Sequence, residues 1–258
     1  MNQLHNGQSC SACRDGIDEP FPFSMAFQPI VDVDHGTVFA YEALCRGPKG
    51  ESAFSVLSQV TPQNRYAFDQ ACRVKAITIA SQLGLPATGA KLSINFIPGA
   101  VYSPAACIRK TLHAAQATGF PLDKLIFEIT EQDQVTDVEH LRNIVGEYRK
   151  HGFQLAVDDF GAGYSGLSFL ADFTPDIIKL DMAITHELHN RPAAVEIVRH
   201  LLLLASSLGC IVIAEGIETI EEYTLVRTCG VNLMQGYLFA KPAFEALPAI
   251  ALPTPITP

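Results

Sequence analysis

The run "HGFQLAVDDFGAGYSGLSFL", residues 151 to 170, sets Asp158 and Asp159 side by side at the end of an apolar stretch, with Gly161 and Gly163 just after. Polar residues close other apolar runs in the same way. They are Glu42 in "VFAYEALCRG", Asn95 in "KLSINF", Glu128 in "LIFEITE", Lys179 in "DIIKLD", Glu215 in "VIAEGIE" and Gln235 in "LMQGY". Gathered in one place, these would offer five carboxylates together with carboxamide and ammonium groups. So many acids cannot converge unneutralised, because like charges a few ångströms apart raise one another's pKa. Divalent cations resolve the conflict, and an all-oxygen ligand set selects hard ions such as Mg2+ or Mn2+ over zinc. An adjacent Asp-Asp pair lets one carboxylate bridge two ions while its neighbour binds one. Two ions about 3.5 to 4 Å apart activate a water and clamp both oxygens of an in-line phosphoryl displacement.

Taken singly, an acid at a strand end is ordinarily a turn residue or a helix cap. Capping does not explain the repetition at most successive strand ends, nor a lysine inside the otherwise apolar "DIIKLD". Gly161 and Gly163, directly after the acids, point to a mobile active-site loop rather than a plain turn.

The elements that must position these residues repeat along the chain: a helical segment ends in glycine, a short apolar run follows, and a polar residue closes it. Gly119 precedes "FPLDKLIFEITE", Gly152 "FQLAVDD", Gly209 "CIVIAEGIE" and Gly230 "VNLMQG". Glycine supplies the left-handed residue after a helix, and a continuous apolar run suits a strand covered on both faces. Thr136 with Glu139, and Thr219 with Glu222, form capping boxes. The stretch 61–84 has Thr61 at a cap, Pro62 in its first turn and Gly84 at its end, which predicts a helix over the whole span. Strands alternating with helices imply a parallel sheet, and seven or eight such units in one domain favour a (β/α)8 barrel. In that architecture the polar residues at the strand ends share one mouth.

The 258 residues carry a net charge of -9. This argues against general affinity for DNA or RNA, which rests on clustered Lys and Arg. Of seven cysteines, Cys45, Cys72, Cys107, Cys210 and Cys229 lack framework spacing and read as reduced thiols of a cytoplasmic chain. Cys10 and Cys13 form a C-x-x-C that is half a zinc site, a redox pair or an accident of the leader; no metal is the simplest of these, since a structural zinc takes about four ligands. The longest apolar run, "LLLLASSLGCIVIA" at 201–214, is shorter than the about 20 residues that span a bilayer, so no membrane anchor is expected. Residues 1–22 read as a flexible N-terminal leader, 23–247 as one barrel domain and 248–258 as a C-terminal tail.

At these residues the chain resembles the EAL-domain family, bacterial phosphodiesterases that open cyclic di-GMP to linear pGpG. "FQPIVD", "YEALCRG", "LSINF", "FEITE", "DDFGAGYSGLSFL", "DIIKLD", "VIAEGIET" and "QGYLFAKP" occur in the family's order, over residues 25 to about 245. The resemblance implies a modified (β/α)8 TIM-like barrel with one antiparallel strand. It also implies one cation on Glu42, Asn95, Glu128 and Asp158, and another on Asp158, Asp159 and Glu215. Mg2+ or Mn2+ would serve and Ca2+ would inhibit. Lys179 and Gln235 would hold waters, the nucleophile would be a bridging hydroxide, and Lys179 would orient or deprotonate it. Gln28, Leu44 and Arg46 would contact the substrate, Arg46 at a phosphate, and Asp181 a guanine. Glu131 would steady the loop after Asp159, and Glu218 would support the site in a similar way. Cys45 and Gly47 beside Arg46, and Ile97 in "NFIP", depart from the family's usual residues without removing a ligand.

The competing reading is a nucleotide-binding module that has lost activity. Such relatives usually lack ligands or carry a degraded loop, and nothing is missing here. The resemblance further implies a homodimer formed near the active-site loop, and the chain shows no recognisable sensor, which leaves room for an unidentified regulatory protein.

Overall fold

A computed structural model describes residues 19–101, 103–130, 138–163 and 166–253. Among them, β1 (Ser24–Asp32), β2 (Thr37–Arg46), β3 (Lys91–Asn95), β4 (Leu125–Thr130), β5 (Gln154–Phe160), β6 (Ile177–Leu180), β7 (Ile211–Ala214) and β8 (Leu233–Met234) pair in the order β2-β3-β4-β5-β6-β7-β8-β1, and β1 pairs again with β2 to close the barrel. Every pairing from β2 to β8 is parallel. β1 runs antiparallel to both of its barrel neighbours. A short strand β9 (Ala243–Phe244) adds to the edge of β1.

The helices are α1 (Ala53–Leu57), α2 (Arg65–Gln82), α3 (Leu85–Thr88), α4 (Pro104–Thr118), α5 (Val138–Lys150), α6 (Gly166–Asp172), α7 (Met182–Thr185), α8 (Pro192–Leu208) and α9 (Ile220–Cys229). The glycine stops act as the spacing implies: Gly119 and Gly209 cap α4 and α8 at φ of 69° and 73°. The Thr219–Glu222 capping box is formed in full at α9. Thr136 lies outside the described residues. The span 61–84 is a correction: α2 begins at Arg65, because Asn64, at φ -111°, departs from the helical backbone and takes the N-cap, while residues 61–64 make a turn closed by the Asn64 N–H to the Thr61 carbonyl at 3.1 Å.

Two apolar layers follow from the period-two alternation of strands. Outward-facing residues such as Phe27, Ile94, Phe127, Val157 and Ile178 join the helices in the large core. A smaller, separate cluster of Ile30, Ala40, Ile126, Ala156, Ile177, Ile213 and Leu233 fills the barrel interior. On each of the strands that supply it, the residue two positions nearer the mouth is polar: Gln28, Glu42, Glu128, Asp158, Lys179, Glu215 and Gln235. The apolar plug is the floor of the site, and the polar residues are the next layer up.

Contacts continue beyond residues 23–247. Glu19 pairs with Lys75 at 2.6 Å and Phe21 stacks on Phe68 at 5.5 Å. Further on, Tyr41 Oη donates to the Pro248 carbonyl at 3.1 Å, and the Ala251 N–H to Phe239 at 2.9 Å.

Candidate active site

Lys179, on β6, is fully buried and lies at the centre. Its Nζ is 2.8 Å from Asp158 Oδ1, 2.9 Å from Glu128 Oε2, 2.9 Å from Glu215 Oε1 and 3.5 Å from Glu42 Oε2. Burial alone would drive its proton off, but these four carboxylates outweigh that and hold its pKa well above the usual lysine value. The acids respond to the same crowding. Burial, with Glu42 and Asp158 nearby, pushes Glu128 up to about 8 against the pull of Lys179. Burial, with Asp158 and Glu42 close, likewise raises Glu215 well above the carboxylate range. Asp159 is pushed up to about 6, by burial first and then by Asp158 and Asp181.

The adjacent aspartates face the same space because β5 is bulged. Val157 pairs with Ile178 and Phe160 with Leu180, so β5 spends one more residue than β6 over this interval. Asp159 takes up the extra residue in left-handed backbone, φ 54°. In a regular strand two neighbours point to opposite faces; a bulge breaks that rule. Aspartate tolerates this conformation better than most residues, at a cost of about 1–2 kcal/mol. Gly161, at φ 95°, is a close-packed position: a Cβ there would stand 2.2 Å from Ile184 Cδ1.

Other groups fix the ligands' orientation. Gln235 Nε2 donates to Glu42 Oε2 at 2.8 Å and to Gln28 Oε1 at 3.3 Å, and Asn95 Nδ2 donates to Glu42 Oε1 at 3.0 Å. Asn95 thereby keeps its amide oxygen for another partner. Gly236 must be glycine for contact rather than conformation, since a Cβ would lie 2.0 Å from the Ile217 carbonyl oxygen.

Three of these supports were missed by sequence reasoning. Ser93 donates its hydroxyl to Glu128 Oε1; its signal was a small polar residue at the inward position two before Asn95. Thr185 Oγ1 donates to the Glu215 carbonyl at 2.6 Å. Buried Glu222, read only as part of a cap, accepts the N–H groups of Glu187, Glu218 and Thr219 at 3.0–3.1 Å. Burial works upward on its pKa, but these backbone donors bring it below the usual value. Glu222 thus ties the loop after β7 to the loop after α7, whereas Glu218, expected to support the site, is itself exposed.

The remaining expected residues are near but not joined to the cluster. Leu44 and Arg46 share the Glu42 face of β2, and Arg46 Nη1 donates to the Cys45 carbonyl at 2.7 Å. Asp181 caps α7, its Oδ1 accepting the Ala183 N–H at 2.7 Å. Glu131, Cys10 and Cys13 lie outside the described residues.

The residues present fit a pair of cations. Oxygen atoms of Glu42, Glu128 and Asp158 lie within 4.8 Å of one another, as do those of Asp158, Asp159 and Glu215. Asp158 belongs to both groups. Five carboxylates face one lysine, so the cluster is short of positive charge. Gln235 Oε1 is buried with no hydrogen-bond partner among the described residues, and Asp158 Oδ1 has only the unaligned ion pair with Lys179. Buried acceptors left in that state ordinarily meet an ion or a water.

Fold and site together define a (β/α)8-type barrel with an acidic, hard-ligand centre at its mouth. A family model described as the EAL domain matches residues 16–242, and the chain belongs to that family. A standalone EAL protein of Vibrio cholerae O395, solved in its c-di-GMP-bound form, is 50% identical with a TM-score of 0.86, the match covering 90% of this chain and 97% of that one. BlrP1 of Klebsiella pneumoniae, solved as a manganese/cyclic di-GMP complex, is 34% identical with a TM-score of 0.82 over 88% of this chain and 58% of that one. A cyclic di-GMP phosphodiesterase of Pseudomonas aeruginosa is 30% identical over 85% of this chain and 38% of its own length. The chain spans about half or less of the length of the curated relatives it matches. No helix among the described residues is long and apolar enough to cross a membrane.

Proposed function

We propose that the protein is a metal-dependent phosphodiesterase that hydrolyses cyclic di-GMP to linear pGpG. The observation that carries this reading is the pair of oxygen clusters sharing Asp158 around one buried lysine. Glu42, Asn95, Glu128 and Asp158 would hold one divalent cation, and Asp158, Asp159 and Glu215 the other. Mg2+ or Mn2+ bound there would supply Lewis-acid activation of water and of the phosphodiester; Ca2+, larger and looser in its geometry, would occupy the site unproductively.

The protein's own part is orientation and charge. Lys179, its Nζ 2.8–2.9 Å from Asp158, Glu128 and Glu215, would orient the attacking water toward phosphorus from among the ligands. Gln235, anchored through its amide nitrogen, offers its unpartnered oxygen to the same water. Arg46, which now donates to the Cys45 carbonyl, would turn to a phosphate oxygen. Leu44 and Gln28 line the approach, and the second carboxylate oxygen of Asp181 accepts from a guanine edge. Glu131 supports the loop that carries Asp159. The apolar plug beneath shields these charges from water on the far side, which strengthens each interaction.

Exposed Leu167 and Met182 (64% and 46%) near the acidic loop support a homodimer formed on that side.

The test is incubation of purified protein with cyclic di-GMP in Mg2+, Mn2+, Ca2+ and EDTA, followed by chromatography. pGpG is expected with Mg2+ or Mn2+ and absent with Ca2+ or EDTA. Nucleotide binding without product under every metal would overturn the reading in favour of a receptor.

A further inference from the structure

Behind two of the proposed ligands, on the outer side of the barrel wall, lies a charged cluster that the chemistry above does not use. Arg73, on α2, is fully buried, and its Nη2 is 2.6 Å from Asp69 Oδ2. Its Nη1 donates to Tyr148 Oη, on α5, at 2.5 Å. The guanidinium carbon sits 5.1, 5.3 and 5.7 Å from the ring centres of Phe96, Phe127 and Tyr148. Asp69 turns its other oxygen to the Ile97 N–H at 2.8 Å.

Phe96 directly follows Asn95, and Phe127 directly precedes Glu128. Alternation turns these rings outward while Asn95 and Glu128 face the mouth. The Phe96 N–H also donates to the Glu128 carbonyl at 3.0 Å, tying the two strand ends together. The cluster therefore grips β3 and β4 from behind, at the position next to a ligand on each. Tyr148 extends the grip to α5, which follows the segment carrying Glu131.

Stability does not account for such a pair. Desolvating two charges costs about what their attraction returns, and apolar replacement of similar volume is often neutral or stabilising. What the charges add is direction: a carboxylate takes one chosen backbone N–H, and a planar guanidinium fixes the rings packed against it. We propose that Asp69, Arg73 and Tyr148 are positioning residues that hold Asn95 and Glu128 in the geometry that binds a divalent cation. The proposal rests on the metal-ligand reading of those two residues.

The test reads metal binding directly, apart from hydrolysis. The double variant Asp69→Asn/Arg73→Met neutralises both partners, and Tyr148→Phe removes one hydrogen bond. Each is titrated with Mn2+ by calorimetry and melted in EDTA. The double variant is expected to unfold cooperatively yet bind Mn2+ roughly tenfold more weakly or worse, as loss of outer supports does at other metal sites. Tyr148→Phe is expected to shift affinity in the same direction by less. On an Asn95→Ala background the double substitution should cost less than it does on the wild type, because part of its route is already gone. Wild-type Mn2+ affinity in the folded double variant, or full additivity with Asn95→Ala, overturns the proposal. If the double variant does not fold, unchanged affinity in Tyr148→Phe overturns it. Wild-type protein that binds no Mn2+ overturns the metal reading and this proposal with it, whereas Mn2+ binding without hydrolysis overturns only the activity.

Discussion

On the β2–β4 side of the mouth, Glu42 and Glu128 stand on regular strand backbone, 6% and 1% exposed, and each carboxylate has a fixed donor in Asn95, Gln235 or Ser93. On the β5–β7 side, Asp159 and Glu215 are partly exposed; one occupies a left-handed residue in a bulge and the other ends its strand under the hold of Thr185. Strand geometry delivers the first group at no conformational cost. The second requires local strain and loop contacts, and strain of this kind gathers where function needs it. One wall of the site is thus built on regular strands, and the other on a bulge and loop contacts. Asp158 stands at the seam and belongs to both.

The strongest way to break this comparison is Asp158→Asn. If Asp158 serves both walls, hydrolysis at saturating Mn2+ should fall on the order of a thousandfold or more, beyond the ten- to hundredfold typical of outer supports. A loss no greater than that of Asp159→Asn would remove the shared role. Asp159→Asn sharpens the comparison through stability. Its carboxyl holds a proton up to about pH 6 in the folded chain, while the unfolded chain releases it near 3.8. Between those values the folded state binds more protons, so metal-free wild type loses stability as pH rises through the window and stays lower above it. Asp159→Asn should therefore melt higher than wild type at pH 8 in EDTA, with little difference at pH 4. Equal shifts at both would show that Asp159 is not strained by charge. The smallest effect belongs to Thr219→Ala, which removes one half of the capping box near the β5–β7 wall. About 1 kcal/mol of stability should be lost, read from denaturant unfolding, with catalysis nearly unchanged.

The same contrast explains what the sequence made legible. Ala40 and Glu42, Ile126 and Glu128, Ile177 and Lys179, Ile213 and Glu215 are two residues apart, so alternation alone placed each polar group above an apolar one. The bulge left no such mark: "AVDDF" reads equally well as a strand that stops at Asp158. The reversed β1 was available only through resemblance, because "SMAFQPIV" carries no information on direction. Arg73 was invisible for another reason. A cation between Cys72 and Val74 on a helix is ordinarily a solvated residue, and only the fold brings Asp69, Tyr148 and the two phenylalanines around it. The late start of α2 was hidden because Thr61 and Pro62 are sound helix-opening residues, while Asn64 three positions on is an equally good N-cap.

The reversal of β1 has a consequence for wiring. Ser24, at its start, pairs with Arg46 near the catalytic end of β2, so the polypeptide enters this barrel at the mouth instead of the base. In an all-parallel barrel a module joined ahead of the first strand would sit on the face opposite the chemistry. Here a module joined ahead of β1 would meet the barrel on the side of the acidic cluster, alongside α2, where Phe21 and Glu19 already pack on Phe68 and Lys75.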